Sequence, residues 1–252
     1  MEKLSINKLK WIRTLHTKKS RDFEKCYIAE GEKIFHECLR EKGSSILLIV
    51  CTSEHVDTVI QYTQYNALLA SDNEFERISL LKSPQGILVI LKKTPPEEIS
   101  FNPAISTLVI DTIQDPGNLG TIIRTADWFG IQQIYCSAST VDCYHPRVVQ
   151  ATMGSLFRIK IAYGNLSDFL MQQTLPIYGA MLEGTSCINL KIKKDAILII
   201  GNEGSGISEK ISQLIQNPIT IPKLGNGESL NASIACGILL SHWKTSKFSI
   251  SS

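Results

Sequence analysis

Three short polar segments hold most of the side chains in this sequence that could handle a phosphorylated sugar. The first, Asp115-Pro-Gly-Asn-Leu-Gly-Thr-Ile-Ile-Arg124, carries Asn118 and Arg124. The second, Gly201-Asn-Glu-Gly-Ser-Gly206, carries Glu203. The third, Ile221-Pro-Lys-Leu-Gly-Asn-Gly-Glu-Ser-Leu-Asn-Ala-Ser233, carries Ser229 and Asn231. Amide, guanidinium, carboxylate and hydroxyl groups together donate and accept, which suits a ribose edge beside a phosphate. Each segment also has an ordinary explanation. Asp115-Pro-Gly is a good turn, Asn118 and Ser208 are reasonable helix caps, and Ser229 or Asn231 could cap a final helix. Three such segments on one framework shift the balance towards a site.

The common nucleotide and metal codes do not account for them. Gly201, Gly204 and Gly206 are spaced three then two, the reverse of the dinucleotide fingerprint. There is no Gly-x-x-x-x-Gly-Lys-Ser/Thr loop and no His-Glu-x-x-His helix. The seven cysteines, Cys26, Cys38, Cys51, Cys136, Cys143, Cys187 and Cys236, form no Cys-x-x-Cys pair. An odd, scattered set predicts reduced thiols in a cytoplasm and argues against a disulfide framework or a zinc site. No metal is expected. The longest apolar runs, such as Ile46–Val50 and Ile197–Ile200, are too short to span a bilayer, and the N-terminus shows no signal-like apolar core.

The elements that must position the three segments alternate regularly. Strand-like runs are Thr107–Ile113, Gln133–Ser137, Ile159–Ala162, Ile177–Leu182, Ala196–Gly201 and Ile219–Ile221. Helical patterns lie at Leu119–Phe129, Arg147–Leu156, Leu166–Gln173, Ser208–Ile215 and Leu230–Trp243. Short apolar strands separated by helices imply a parallel sheet covered on both faces, with ligands beyond its carboxyl ends. Residues 92–103 read Lys-Lys-Thr-Pro-Pro-Glu-Glu-Ile-Ser-Phe-Asn-Pro, and the paired prolines exclude a helix or central strand there. This places a smaller α/β domain at 1–95 and a larger one at 104–252. In the smaller, Leu9, Ile12 and Leu15 share a helical face, 32–41 reads as a second helix, and Ile46–Cys51 and Gly86–Leu91 read as strands.

Formal net charge is only +2 over 252 residues, but residues 1–25 hold eight Lys or Arg against three acids. That excess predicts either contact with nucleic-acid phosphates or a solvated amphipathic helix.

At the polar segments the chain stops being anonymous. Asn118-Leu-Gly-Thr-Ile-Ile-Arg-Thr-Ala126, Gly201-Asn-Glu-Gly-Ser-Gly-Ile-Ser208 and Ile221-Pro with Glu228-Ser-Leu-Asn-Ala-Ser233 resemble, in order and separation, the three motifs of the SpoU (TrmH-like) branch of the SPOUT RNA methyltransferases. Leu15-His-Thr-Lys-Lys-Ser-Arg21 and Tyr27-Ile-Ala-Glu-Gly-Glu32 more loosely resemble the family's substrate-binding module, a ribosomal-protein-like α/β fold. The resemblance implies a C-terminal trefoil-knotted parallel-sheet domain, which general topology rules would not suggest. It also implies a homodimer packed through that domain, with the apolar last helix in the interface.

The implied reaction is methyl transfer from S-adenosylmethionine to a ribose 2′-hydroxyl of tRNA or rRNA. An alternative is a catalytically silent RNA-binding or ribosome-assembly factor that kept the fold. Carried over residue by residue, the catalytic set is Arg124, Asn118, Glu203, Ser229 and Asn231. The cofactor set is Leu182, Glu183, Gly184, Gly201, Ile221 and Leu230, and Lys18, Lys19 and Arg21 are expected to hold RNA. Because a guanidinium keeps its proton at ordinary pH, Arg124 is expected to clamp a phosphate and developing negative charge rather than act as a base. Asn118 is expected to fix Arg124 or the ribose.

Overall fold

The computed structural model describes residues 1–188 and 190–245, and they form two units. The first comprises Met1–Pro95 together with Asp142–Phe157, and the second Pro96–Val141 with Arg158 onward.

The first unit begins β1 (Glu2–Lys3), α1 (Ile6–Thr14), α2 (Lys18–Glu24), β2 (Cys26–Glu30) and α3 (Glu32–Lys42). It continues β3 (Ile46–Cys51), α4 (Val56–Val59), β4 (Ala67–Leu69), α5 (Asp72–Ile78) and β5 (Ile87–Lys92). The sheet order is β1-β4-β3-β5-β2. β5 runs antiparallel to both neighbours, while β1, β4 and β3 are mutually parallel. Leu9, Ile12 and Leu15, predicted to share a face, are buried against Ile28, Val50, Phe75 and Ile90. Ser5 caps α1 through Lys8 N–H, and Ser71 with Glu74 forms a reciprocal capping box at α5. β2 and α5 went unread in the sequence. β2 is buried at all five positions, so it shows no alternation.

The second unit holds a six-stranded sheet that is parallel throughout. Its elements begin β6 (Thr107–Ile110), α6 (Pro116–Trp128) and β7 (Gln133–Ser137). The chain then contributes α7 (Pro146–Thr152) to the first unit and returns as β8 (Lys160–Gly164). There follow α8 (Leu166–Met171), β9 (Ile177–Ser186), β10 (Ile197–Ile200), α9 (Glu209–Ser212), β11 (Asn217–Thr220) and α10 (Ala232–Thr245). Strand order is β11-β9-β10-β6-β7-β8. β10 is thus inserted between β6 and β9, and the direction of winding reverses beside β6. Such a reversal opens a crevice at the carboxyl ends. Val109, Leu166, Leu170, Ile177, Ile197 and Ile199 build the core on one face.

Boundaries moved for local reasons. Asp115 caps α6 by accepting from Asn118 N–H at 2.8 Å, so Asn118 is not a cap; it lies in the first turn behind Pro116. α7 stops at Thr152, before Leu156, because Met153 and Gly154 turn left-handed. Asn165 is a helix cap, accepting from Ser167 N–H at 3.0 Å.

Candidate functional site

The three polar segments all leave the carboxyl end of the parallel sheet, and the structure joins them through one carboxylate. Glu203 Oε1 accepts from Asn118 Nδ2 at 2.6 Å, from Ala232 N–H at 3.2 Å and from Asn231 Nδ2. Asn231 Nδ2 also donates to Asn118 Oδ1 at 3.0 Å. Meanwhile Asn231 Oδ1 accepts from Ser233 N–H at 2.9 Å and so caps α10. One amide therefore serves both readings, capping with its oxygen and binding with its nitrogen. Asn118, Glu203 and Asn231 share no sequence neighbourhood. Their convergence is wholly a product of the fold.

Behind this cluster lies a second layer that sequence reading missed. Just past the end of β6, Thr112 adopts φ 60°, a left-handed conformation costly for a β-branched residue. It is held on three sides. Its N–H donates to Ser137 Oγ at 2.9 Å, its hydroxyl to Asp111 Oδ1 at 2.8 Å, and its carbonyl accepts from Asn202 Nδ2 at 2.8 Å. The buried Asp111 also accepts from Ser208 N–H at 2.8 Å. Asn202 Oδ1 takes Gly204 N–H at 2.9 Å and closes the second loop on itself. This frame fixes where Glu203 is presented. The only signal in the sequence was position: Asp111 and Thr112 end a strand, and Asn202 precedes Glu203.

The remaining expected residues fall differently. Arg124 is exposed on α6 and, among the described residues, makes no hydrogen bond or ion pair. It stands six residues from Asn118, about a third of a turn round and about 9 Å along the helix. Asn118 thus bonds Glu203 and Asn231, so that of the two roles expected for it, fixing Arg124 or the ribose, the first is not what it does here. Ser229 is exposed on the loop before α10 and is not drawn into the cluster.

Leu182, Glu183 and Gly184 lie in a long bulge of β9. The pairing with β11 jumps from Gly179 opposite Pro218 to Thr185 opposite Ile219, so residues 180–184 are left out of that register. Leu182 is 80% exposed there, while a side chain on Gly184 would strike the Pro218 carbonyl at 2.6 Å. Gly201 is buried at the end of β10, where a Cβ would lie 2.4 Å from the backbone of Gly206 and Ile207. A larger residue at 201 would therefore spoil the loop itself, and loss of ligand binding in such a variant would not locate a pocket. Ile221 is half-buried, and Leu230 is 47% exposed.

In the first unit Lys18 and Lys19 are exposed on α2, but Arg21 is not. Its guanidinium is 1% exposed, paired with Asp142 Oδ2 at 2.8 Å and donating to the Leu15 and His16 carbonyls at 3.1 and 3.0 Å. With its donors spent inside the fold, Arg21 cannot hold RNA phosphate, and that expectation is corrected. Among the described residues no cluster of metal-ligating side chains occurs.

A profile described as the SpoU rRNA Methylase family matches residues 106–241, more than half of the chain. The chain belongs to the SpoU family. A second profile, the MRM3-like substrate binding domain, matches residues 7–89. Among relatives, the SpoU chain is 29% identical over 246 residues to the 23S rRNA (guanosine(2553)-2′-O)-methyltransferase RlmP of Bacillus subtilis, covering 96% of this chain and 98% of that one. Among solved structures, a TrmH-family RNA methyltransferase from Porphyromonas gingivalis superposes with TM-score 0.86 at 34% identity, covering 96% of this chain and 99% of that one. An AdoMet-bound rRNA methyltransferase from Sinorhizobium meliloti gives TM-score 0.85 at 29% identity, covering 98% and 97%. The SpoU match spans every residue of the Glu203 cluster, and Lys18, Lys19 and Arg21 fall inside the substrate-binding match.

Proposed function

We propose that this SpoU chain transfers a methyl group from S-adenosylmethionine to a ribose 2′-hydroxyl of ribosomal or transfer RNA. The observation that carries the reading is the convergence of Asn118, Glu203 and Asn231 at the carboxyl edge of a parallel sheet, within a chain of this family.

The strand ends fit the cofactor. The loops of β9 and β11 leave Leu182 80%, Leu224 99% and Leu230 47% exposed, apolar surface that a flat base or thioether chain would cover. The close backbone approach at Gly184 and Gly201 leaves main-chain groups of residues 182–184, Gly201 and Ile221 to recognise it. When bound, S-adenosylmethionine supplies a methyl already activated on a sulfonium. That methyl would go to the ribose 2′ oxygen, with the sulfonium leaving as a thioether and the hydroxyl proton taken by a phosphate or water. Asn118, Glu203 and Asn231 hold the loop edges that orient the nucleotide, and Ser229, on the exposed loop before α10, would reach it from outside that cluster. Arg124, exposed on α6, would clamp a phosphate and the developing charge.

Arg124 stands apart from the Glu203 cluster, and two apolar side chains are uncovered nearby: Trp128, 85% exposed on α6, and Ile234, 53% exposed on α10. The two helices pack together, Thr125 lying against Gly237. These features support a homodimer through the larger domain, in which the site draws on both copies. The reading also includes a trefoil knot at the C-terminal end, domains at 1–95 and 104–252, and a reducing cytoplasm, which suits the seven buried cysteines. Incubation with labelled S-adenosylmethionine and total RNA, followed by mapping of 2′-O-methyl sites, tests the reaction. Arg124→Ala should abolish transfer while RNA and cofactor affinities hold. Binding of both with no transfer by the wild type would instead favour a silent RNA-binding factor.

A further inference from the structure

With Arg21 removed from the RNA-facing set, the question is what α2 presents to its substrate. On it the large apolar side chain of Phe23 is 83% exposed. A single exposed aromatic is ordinary on a protein surface. This one has three unusual companions. Lys19 precedes it by one helical turn, so ammonium and ring share the outward face. Lys18 and Lys25 flank them, both exposed. The third companion is the surrounding charge. The Lys93 N–H donates to the Lys25 carbonyl at 2.8 Å, which sets Lys93 beside the end of α2. Lys93 also pairs with Asp22 at 2.5 Å, neutralising the acid that precedes Phe23 in the chain.

The helix cannot rotate to hide Phe23. Arg21 projects from its opposite side and is locked inward by Asp142 and two carbonyls, which fixes the face carrying Lys19 and Phe23 outward. A pre-oriented aromatic plane on a helix that also exposes Lys18, Lys19 and, at its end, Lys25 has the chemistry to stack an unpaired base while holding its phosphates. We propose that Phe23 is a base-stacking platform of the substrate-binding unit, and that the RNA recognised there is single-stranded. This rests on the reading that the chain acts on RNA, and it names the form of RNA that α2 takes.

The test uses the full chain with a fluorescent oligoadenylate and a fully paired hairpin, their affinities read by anisotropy against salt. Phe23→Ala should weaken oligoadenylate binding about tenfold and leave the hairpin nearly unchanged. The salt slope should stay at the wild-type value, because no counterion release is lost. Lys18→Gln with Lys19→Gln should flatten that slope. Phe23→Tyr should restore affinity, whereas Phe23→Leu, apolar but without a π face, should not. Equal affinities of Phe23→Ala and wild type for oligoadenylate would overturn the platform, as would rescue by Leu. A fall in sedimentation mass of Phe23→Ala would also overturn it, showing the ring to be a contact between copies. Methyl transfer to total RNA is run alongside. Transfer by the wild type with no effect at Phe23 would sink this inference alone, whereas failure of the wild type to bind or modify any RNA would sink the functional reading with it.

Discussion

Replacing Glu203 by Ala would remove the acceptor on which Asn118 Nδ2, Asn231 Nδ2 and Ala232 N–H converge. A hydrogen bond to a charged group contributes about 1.5–3 kcal/mol, which for three bonds would set a high ceiling. The carboxylate is exposed, however, so water can take over part of each. About 2–4 kcal/mol of positioning energy is then at stake, a fall of about 30- to 1,000-fold in kcat/KM for methyl transfer. Stability should hardly move. Asn231 Oδ1 still caps α10, and a surface change of this kind costs about 0.5 kcal/mol, or about 2 °C in a chain of this size. Glu203→Gln is the control. It keeps an acceptor but loses the charge that makes such bonds about twice as strong as neutral ones, so about half the loss should return on a logarithmic scale. The assay is transfer of labelled methyl at saturating RNA and cofactor, paired with thermal unfolding. Two results would refute the reasoning. Activity of the Ala variant within about threefold of wild type would mean the cluster does not shape the site. A Gln variant as inactive as Ala would mean the charge takes part in chemistry instead of holding partners.

Arg21→Ala should cost about 3–5 kcal/mol in urea unfolding, because it strands Asp142, only 9% exposed, without its cation; replacing both by apolar residues of like volume should recover much of it, and full stability in the single variant would contradict the buried pair. Leu182→Asp, at a site 80% exposed, should leave the fold intact and weaken S-adenosylmethionine binding about ten- to a hundredfold by calorimetry, with unchanged affinity placing the pocket elsewhere. His16 and His145 are both held below 6.5: burial disfavours their charged forms first, with Arg21 adding to it in each, against the Ile78 carbonyl at His16 and Asp142 at His145. A depressed folded value means that their contribution is complete above pH 6.5 and lost as pH falls through the folded values. Denaturant midpoints should therefore drop as pH falls below 6.5, and replacing both by Gln should flatten that drop; an unaltered profile would assign it to other groups.

Much of the sheet was legible because burial on both faces turns parallel strands into bare apolar runs. Gln133–Ser137 and Ile46–Cys51 were read to the residue from their short apolar cores. The site was legible for a different reason: Asn118, Glu203 and Asn231 are polar residues in glycine-rich turns, where nothing apolar competes for attention. Arg21 was not legible in the same way. From composition, Lys18, Lys19 and Arg21 are one basic run. The fold spends the guanidinium inside, because its planar fork can satisfy a carboxylate and two carbonyls at once, and leaves the lysines outside. The partner that decides this, Asp142, lies 121 residues away, beyond any local window.

Thr112 carries the same lesson into function. A strand pattern runs smoothly through 107–113, and nothing in it announces a left-handed residue. A strained β-branched position survives only where surrounding bonds over-determine it. Here those bonds come from Ser137, Asp111 and Asn202, on three different segments. The end of β6 is thereby tied to the loop after β10 and, one residue further, to Glu203. The strain and the cluster are one construction: what holds Thr112 in place also fixes the carboxylate on which Asn118 and Asn231 meet.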